Sequence, residues 1–307
     1  MAFTTVILDF SVFAHQLHDS YVAAGAENDK EHWKGILQAQ ATWMLSCKWL
    51  GELVDVETTQ TVAVVDTKPY WRAEYLQRPE VYTTIKTKKR NKVVDNLEPI
   101  AYKGGRKLPT YHFTKTKEKL SNFCQEVGVK FLASPGYEAD DLAAALVMTN
   151  RMRAEQDKHN IILATVDADW LGLVDDHTSW CCSYGWMPRL RNNLEVINQW
   201  SLKRLGTTLE SPADIWQVKS RVGDKSDNLP AGTPIEVIDL MNPPDEHKLW
   251  LKPQMKGILS TCFDRPEPVR GKVLHHVPRA SEYLRQLGIP RFVKSYNSND
   301  TKQPYGN

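Results

Sequence analysis

Four short apolar runs punctuate the first half of the chain, each rich in aliphatic residues and each followed by a polar turn. Residues 4–8 (TTVIL), 61–65 (TVAVV), 129–133 (VKFLA) and 160–166 (NIILATV) are mostly apolar on consecutive rather than alternating positions. Such runs predict strands covered on both faces. Helical periods lie between them. From Trp33 onward apolar residues fall at 33, 36, 37, 41, 44 and 45, and Ser134-Pro135-Gly136 closes the third run ahead of a helix predicted over 138–153. Alternating strands and helices predict an α/β unit with a parallel central sheet.

Residues 79–112 break this rhythm. They are basic, polar and aromatic with little periodicity, and predict a long insertion that orders on binding. Beyond about residue 186 the signals turn helical and proline-rich, which predicts a second, mostly helical part over 186–294. A polar tail, 295–307, is expected to be disordered. The first part is then 1–185, with the insertion inside it.

Composition narrows the class. Charged residues make up 25% of 307 and apolar residues 41%, as in a soluble globular chain. No apolar window approaches the length of a membrane span, so no membrane association is expected. The amino terminus, MAFTTVILDF, reads as a strand rather than a signal peptide. The five cysteines (47, 124, 181, 182 and 262) have no metal-ligand spacing, which fits structural thiols in a reducing, cytoplasmic setting. Net charge is only +2, yet Lys86 to Lys119 holds eleven basic residues against three acids. That local excess calls for a polyanion or bulk water, and the run Lys86, Lys88, Lys89, Arg90 and Lys92 is its densest part.

The acids carry the chemistry. Asp9, Asp66 and Asp167 end or directly follow three of the predicted strands, and in an open parallel sheet those ends share the ligand-binding edge. Glu138, Asp140 and Asp141 open the 138–153 helix. Helix-dipole compensation explains one carboxylate there, not three. Asp169 follows Asp167 by two, and Gly223-Asp224-Lys225-Ser226-Asp227-Asn228 adds two more acids on a glycine-led turn. Nine carboxylates converging in one cleft cannot all stay ionised without cations. With no histidine or cysteine in the set, the donors are all oxygen, which selects Mg²⁺ or Mn²⁺ over zinc or copper. Setting the nine aside leaves 28 acids against 39 basic residues. An acidic metal cleft in a basic body suits an enzyme acting on nucleic-acid phosphates.

Tyr137-Glu138-Ala139-Asp140-Asp141, Thr165-Val166-Asp167-Ala168-Asp169-Trp170 and Gly223-Asp224-Lys225-Ser226-Asp227-Asn228 resemble the acidic motifs of the flap endonuclease/5′→3′ exonuclease family. Pro69-Tyr70-Trp71-Arg72 and Tyr102-Lys103-Gly104-Gly105-Arg106 resemble that family's phosphate-contacting segments, and the likeness is closest to its phage ribonuclease H branch. The resemblance implies a PIN-like, mostly parallel sheet flanked by helices, a helical arch formed by the insertion, and a helical C-terminal part that binds duplex. It implies two divalent cations, Mg²⁺ or Mn²⁺. Asp9, Asp66, Glu138, Asp140 and Asp141 would serve the first, and Asp167, Asp169, Asp224 and Asp227 the second. Lys103 and Arg106 would stabilise the scissile phosphate, and Arg72 and Tyr102 would touch nucleic acid, with Trp71 and Tyr75 offering further faces for an unpaired base. The implied reaction is hydrolysis near a 5′ end in duplex DNA or an RNA–DNA hybrid, as in removal of flaps or RNA primers in replication or repair. The implied partners are DNA with 5′ flaps, nicks or RNA primers, and a single-strand-binding protein or sliding clamp. A monomer in the cytoplasm is expected (the host's, for a phage-encoded chain). The chain departs from the family after Asn228, where Leu229-Pro230-Ala231-Gly232-Thr233-Pro234-Ile235 replaces a glycine-rich turn.

Three other classes compete. A haloacid-dehalogenase-type phosphatase would need an acid at position 11, which is Ser11. A PIN-type endoribonuclease needs fewer acids and a shorter chain. A non-catalytic module for branched DNA would have lost ligands, and all nine acids are present.

Overall fold

The computed structural model describes residues 3–23, 58–68, 70–82, 88–89, 92–93, 99–106, 109–126, 129–181, 190–191 and 194–264. The helical period from Trp33, residues Lys86 and Arg90, and the 295–307 tail lie outside the described residues.

Strand β1 (Thr4–Asp9) is buried at all six positions, as its unbroken apolar run requires, and leads directly into helix α1 (Phe10–Ala23). Strand β2 (Thr59–Val64) is likewise buried throughout. Two short helices, α2 (Trp71–Leu76) and α3 (Pro79–Tyr82), follow it. Next come an antiparallel pair, β3 (Lys88–Lys89) and β4 (Lys92–Val93), and a 16-residue helix α4 (Tyr111–Glu126). The chain continues through β5 (Lys130–Leu132), α5 (Ala139–Arg151), β6 (Asn160–Ala164), a 3-10 helix (Ala168–Leu173), β7 (Thr178–Cys181) and β8 (Leu190–Arg191). Helices α6 (Leu194–Leu205), α7 (Asp214–Val222), α8 (Ile235–Ile238) and α9 (Pro253–Thr261) complete the described chain.

The main sheet runs β5-β2-β1-β6-β7-β8. Five strands are parallel and β8 alone is antiparallel at the edge. The chain builds outward from β1 through β2 to β5, then returns to the other side of β1 with β6. Strand order therefore reverses between β1 and β6, where an open α/β sheet leaves a crevice at its carboxyl edge. Register sets the depth of that edge: Leu8 pairs with Ala63 on one side and Ala164 on the other.

Helix α5 is apolar nearly all round (nine of its 13 residues are buried) because it packs into the interior rather than along the surface. Its cluster is continuous with Ile215 and Trp216 of α7, Trp250, and Phe263 beyond α9. Gly172 permits one close approach. A Cβ there would lie 2.4 Å from the Trp216 ring, so only glycine lets α7 sit on the 3-10 helix. At the opposite edge, buried Gln60 ties the carbonyl of Cys262 and the hydroxyl of Thr5 to β2 (2.6 and 3.1 Å).

Several expectations shift. The second strand starts two residues earlier than predicted, and Asp66 and Asp167 stand in the loops just past β2 and β6 rather than at strand ends. Strand β7 went unread because its short TSWC stretch carries little periodicity. The insertion is not uniformly irregular. It holds α3 and the β3–β4 pair, and its last two residues begin α4.

Candidate functional site

The acidic motifs meet at the switch point. Asp9 ends β1 and is 6% exposed. Its Oδ2 accepts from the Thr165 hydroxyl just past β6 (2.9 Å), and its Oδ1 accepts from the Val12 amide (3.1 Å). Asp66 accepts from the Ser11 hydroxyl (3.0 Å) and the Ala139 amide (2.9 Å) at the first turn of α5. Asp140 accepts from the Trp170 indole (2.7 Å). Among the described residues, these three carboxylates are held by uncharged donors only. Burial first, then Asp140 and Asp66, pushes Asp9 up to about 7. Burial first, then Asp167, raises Asp140 to about 7 against the pull of Lys103.

Glu138 and Asp141 are arranged differently. Asp141 accepts from the Glu138 amide (3.0 Å) and the Trp71 indole (3.1 Å), which fixes the entry into α5. Arg72 is 3% exposed and is wedged between the two acids. One guanidinium nitrogen lies 3.1 Å from Glu138 and 2.8 Å from Asp141, while Nε donates to the Val237 carbonyl at 2.7 Å. Glu138 also accepts from the Tyr102 hydroxyl (2.7 Å) and pairs with Lys103.

On the other side of the switch point, Asp167 caps the 3-10 helix by accepting from the Asp169 amide (3.0 Å). Lys219, in the last turn of α7, reaches in among the acids. Its ammonium pairs with Asp169, lies 2.7 Å from Asp224, and is 4.0 Å from Asp167. One positive charge cannot neutralise three negative ones. Burial raises Asp167 and Asp169 to about 6 despite Lys219. Against the same upward pull of burial, Lys219 and Ser226 draw Asp224 down to about 2. Burial alone would lower the Lys219 ammonium, and the three carboxylates more than reverse that.

The Tyr102–Arg106 segment docks onto the 224–229 turn. The Lys103 amide donates to the Asp227 carbonyl (2.9 Å), the Asn228 side chain to the Ala101 carbonyl (3.0 Å), and Arg106 pairs with Asp227. Lys103 and Asn228 are also the two non-glycine residues with positive φ among the described residues (56° and 59°). Backbone strain of this kind concentrates where structure serves a site. Gly223 opens the turn at φ 82°, with its Cβ position 2.6 Å from the Leu229 carbonyl oxygen. Arg72, Tyr102, Asp140, Asp169, Asp224 and Asp227 line one narrow cleft.

Asp9, Asp66, Asp140, Asp167, Asp169, Asp224 and Asp227 thus each lie within electrostatic reach of another of the set, Glu138 and Asp141 share Arg72, and Lys103 and Arg106 join them. Two expected nucleic-acid contacts need correction. Arg72 is an internal counter-ion, 3% exposed and held by Glu138 and Asp141. Trp71 is 4% exposed, with His247 stacked 4.3 Å from it and Arg72 over its ring, so no base can stack there. The Tyr102 hydroxyl is engaged by Glu138, which leaves the expected contact to its half-buried ring. Only the backbone of Lys88, Lys89 and Lys92 is described, in the β3–β4 pair. Sequence reasoning missed Lys219, the hydroxyls of Thr165 and Ser11, and the indoles that hold acids. Lys219 left one signal, as a base five residues before Asp224 in a helix's last turn.

The donor set is all oxygen, and the raised Asp9, Asp140, Asp167 and Asp169 mark negative charge that the protein's own cations leave unbalanced. These residues fit a hard divalent cation. Among the described residues no three acids stand in ready metal-ligating geometry; Lys103, Arg106 and Lys219 are paired with Glu138, Asp227, Asp169 and Asp224.

DNA polymerase I of Streptococcus pneumoniae is 28% identical over 134 residues, 44% of this chain and 14% of the polymerase. The thermostable DNA polymerase I of Thermus thermophilus is 29% identical over 130 residues, 42% of this chain and 14% of that enzyme. The matched region is thus a small part of these relatives. Among solved structures, the T5 5′-exonuclease with bound zinc aligns over 95% of this chain and 96% of its own, with a TM-score of 0.46 and 16% identity. A bacteriophage T5 flap endonuclease in a pseudo-enzyme-product complex with DNA and metal ions gives 0.45 and 14%, over 95% of this chain and 97% of its own. Over residues 81–201, which hold the Glu138–Asp141 and Asp167–Asp169 motifs, the chain matches the 5′-3′ exonuclease, N-terminal resolvase-like domain.

Proposed function

We propose that this chain is a metal-dependent 5′ nuclease that hydrolyses phosphodiesters near the 5′ ends of duplex DNA or RNA–DNA hybrids. The observation that carries this reading is the trio Asp9, Asp66 and Asp140 at the switch point, held by uncharged donors and left short of positive charge. That trio, with Glu138 and Asp141, would hold one Mg²⁺ or Mn²⁺ directly or through water, and Asp167, Asp169, Asp224 and Asp227 a second. When bound, two such cations supply a water nucleophile at neutral pH and stabilise the leaving oxygen. The chain's own part is distinct. Lys103 and Arg106 sit on the docked 102–106 segment at the rim and exchange their carboxylates for phosphate oxygens as charge develops there. Trp170 and Thr165 keep Asp140 and Asp9 in fixed orientations. The basic run Lys86, Lys88, Lys89, Arg90 and Lys92 attracts DNA through counterion release. Removal of flaps or RNA primers is the role this chemistry suits, by a monomer in the cytoplasm, with a single-strand-binding protein or sliding clamp as partner.

Cleavage of a 5′-labelled flap and of a nicked RNA–DNA hybrid, with Mg²⁺ and with chelator, tests the reading. Product of defined length in Mg²⁺ only is expected, and Asp140→Asn should lower the rate by orders of magnitude while the protein stays folded. DNA binding without cleavage in either metal would make the chain a branched-DNA-binding module instead.

A further inference from the structure

The two halves of the acidic cleft are balanced in different ways. Asp9, Asp66 and Asp140 meet hydroxyl, amide and indole donors, whereas Asp167, Asp169 and Asp224 share a single ammonium. Lys219 is 12% exposed, and α7, which carries it, is fixed in place. Trp216 of that helix donates to the Asp169 carbonyl (3.0 Å) and fills the space over Gly172, and Ile215 and Val218 are buried. The helix cannot withdraw, but the four-carbon stem of a lysine can rotate.

We propose that the Lys219 ammonium is a built-in counter-cation which fills the place of a divalent ion among Asp167, Asp169 and Asp224, and which swings out when an ion binds there. An ammonium and a divalent ion cannot both contact the same oxygens, because two cations a few ångströms apart repel strongly. Lysine supplies one charge to three carboxylates, so two negative charges stay without a counter-ion among the described residues. The exchange therefore has a driving force and also an opposing term, the loss of two close ion pairs. Among the described residues the Asp9–Asp66–Asp140 half has no cation in contact to displace, so the first ion binds there more tightly. In the metal-free chain Lys219 keeps α7 and the 3-10 helix joined across what would otherwise be three mutually repelling acids. The inference rests on the metal-dependent reading above.

Calorimetric titration of the chelator-treated full chain with Mn²⁺ tests it, on wild type, Lys219→Met and Lys219→Gln. Wild type should show two classes of site, the second roughly tenfold or more weaker, since a resident unit charge opposes the incoming ion. Both variants should tighten the second class by about tenfold or more and leave the first unchanged. Without metal they should melt lower than wild type, and Mn²⁺ should raise their Tm by more than it raises that of wild type. If the variants do not fold without metal, wild type alone decides. With lysine labelled at Cε, Mg²⁺ should move the Lys219 resonance only as the second class fills, the signal being identified by its absence in Lys219→Arg. A second class unchanged or weakened in the variants, or a Lys219 resonance that never moves, overturns the inference and leaves the metal reading standing. Absence of Mn²⁺ binding altogether removes both.

Discussion

Replacing Arg72 with methionine separates a structural guanidinium from a phosphate contact. The residue is 3% exposed, and its three bonded partners, Glu138, Asp141 and the Val237 carbonyl, are all internal. Methionine fills most of the stem's volume, so the cavity contribution is small. What remains is electrostatic. Removing one partner of a buried pair leaves a charge uncompensated, which costs about 3–5 kcal/mol. An orphaned carbonyl costs about 1–3 kcal/mol more. Lys103 still reaches Glu138, and the Trp71 indole still donates to Asp141, so part of the loss is recovered. We expect a net destabilisation of about 3–5 kcal/mol, a large share of the roughly 5–15 kcal/mol that holds a domain folded.

Urea unfolding followed by tryptophan fluorescence, in chelator at pH 8 and pH 5, measures this. The midpoint should fall with little change in slope. The sign of the pH dependence follows from Asp141, whose carboxyl burial already raises despite Arg72. Without Arg72 it rises further. A group raised in the folded state contributes stability that is complete below its unfolded pKa and lost as pH climbs through its folded pKa. The deficit of Arg72→Met should therefore be smaller at pH 5 than at pH 8. A loss under about 1 kcal/mol at pH 8, together with a DNA-binding salt slope lowered by about 0.9, would refute the internal role and restore Arg72 as a phosphate contact.

Two further outcomes are expected. Asp9 and Asp140 are raised to about 7 and Asp167 and Asp169 to about 6, so in chelator their contribution to stability is lost as pH rises through that range. Mg²⁺ takes only the ionised forms, so the Tm gain it gives should grow between pH 5.5 and 8. His159, lowered to about 4 chiefly by burial, acts in the opposite direction but equally with and without Mg²⁺; a gain constant across that range would count against the site. Lys103→Ala should slow single-turnover flap cleavage at saturating DNA by about 2–4 kcal/mol of barrier, whereas a wild-type rate under those conditions would leave Lys103 as diffuse attraction only.

The α/β alternation was legible because strands such as TTVILD and NIILA are covered on both faces and so carry unbroken apolar runs. The acids were legible for a related reason. Residues placed just past strand ends and at a helix start share one edge whatever the details of packing, and parallel topology brings Asp9, Asp66, Asp140 and Asp167 together. What stayed hidden depends on side-chain direction. Trp170 and Trp216 are core, as is Trp71 against the expectation of a base-stacking face, and each donates its indole N–H to the acidic loops, to Asp140, the Asp169 carbonyl and Asp141. Lys219 is one of 39 basic residues, and a base in a helix's last turn already has an explanation in the dipole. Arg72 sits among aromatics beside a catalytic-looking aspartate, and nothing local reveals that Val237, 165 residues further on, covers it.

The cationic side chains around the nine acids form a graded series, and the grading follows from burial. Arg106 is 52% exposed, and an ion pair that open to water holds with about 0–1 kcal/mol. On the proposed reading it would leave Asp227 for an arriving phosphate at little cost. Lys103 is 10% exposed, faces the rings of Tyr70 and Tyr102 at 4.7 and 5.2 Å, and gives up more when it turns outward. Lys219 is nearly as covered but holds more carboxylates, so only a replacement cation releases it without leaving bare charge behind. Arg72 is almost fully enclosed and belongs to the fold alone. Arg106 and Lys103 sit on the docked 102–106 segment, Lys219 among Asp167, Asp169 and Asp224, and Arg72 between Glu138 and Asp141. On the proposed nuclease reading the groups easiest to release are those that would meet the phosphate, and the one that cannot be released holds the helix start from which Asp140 projects.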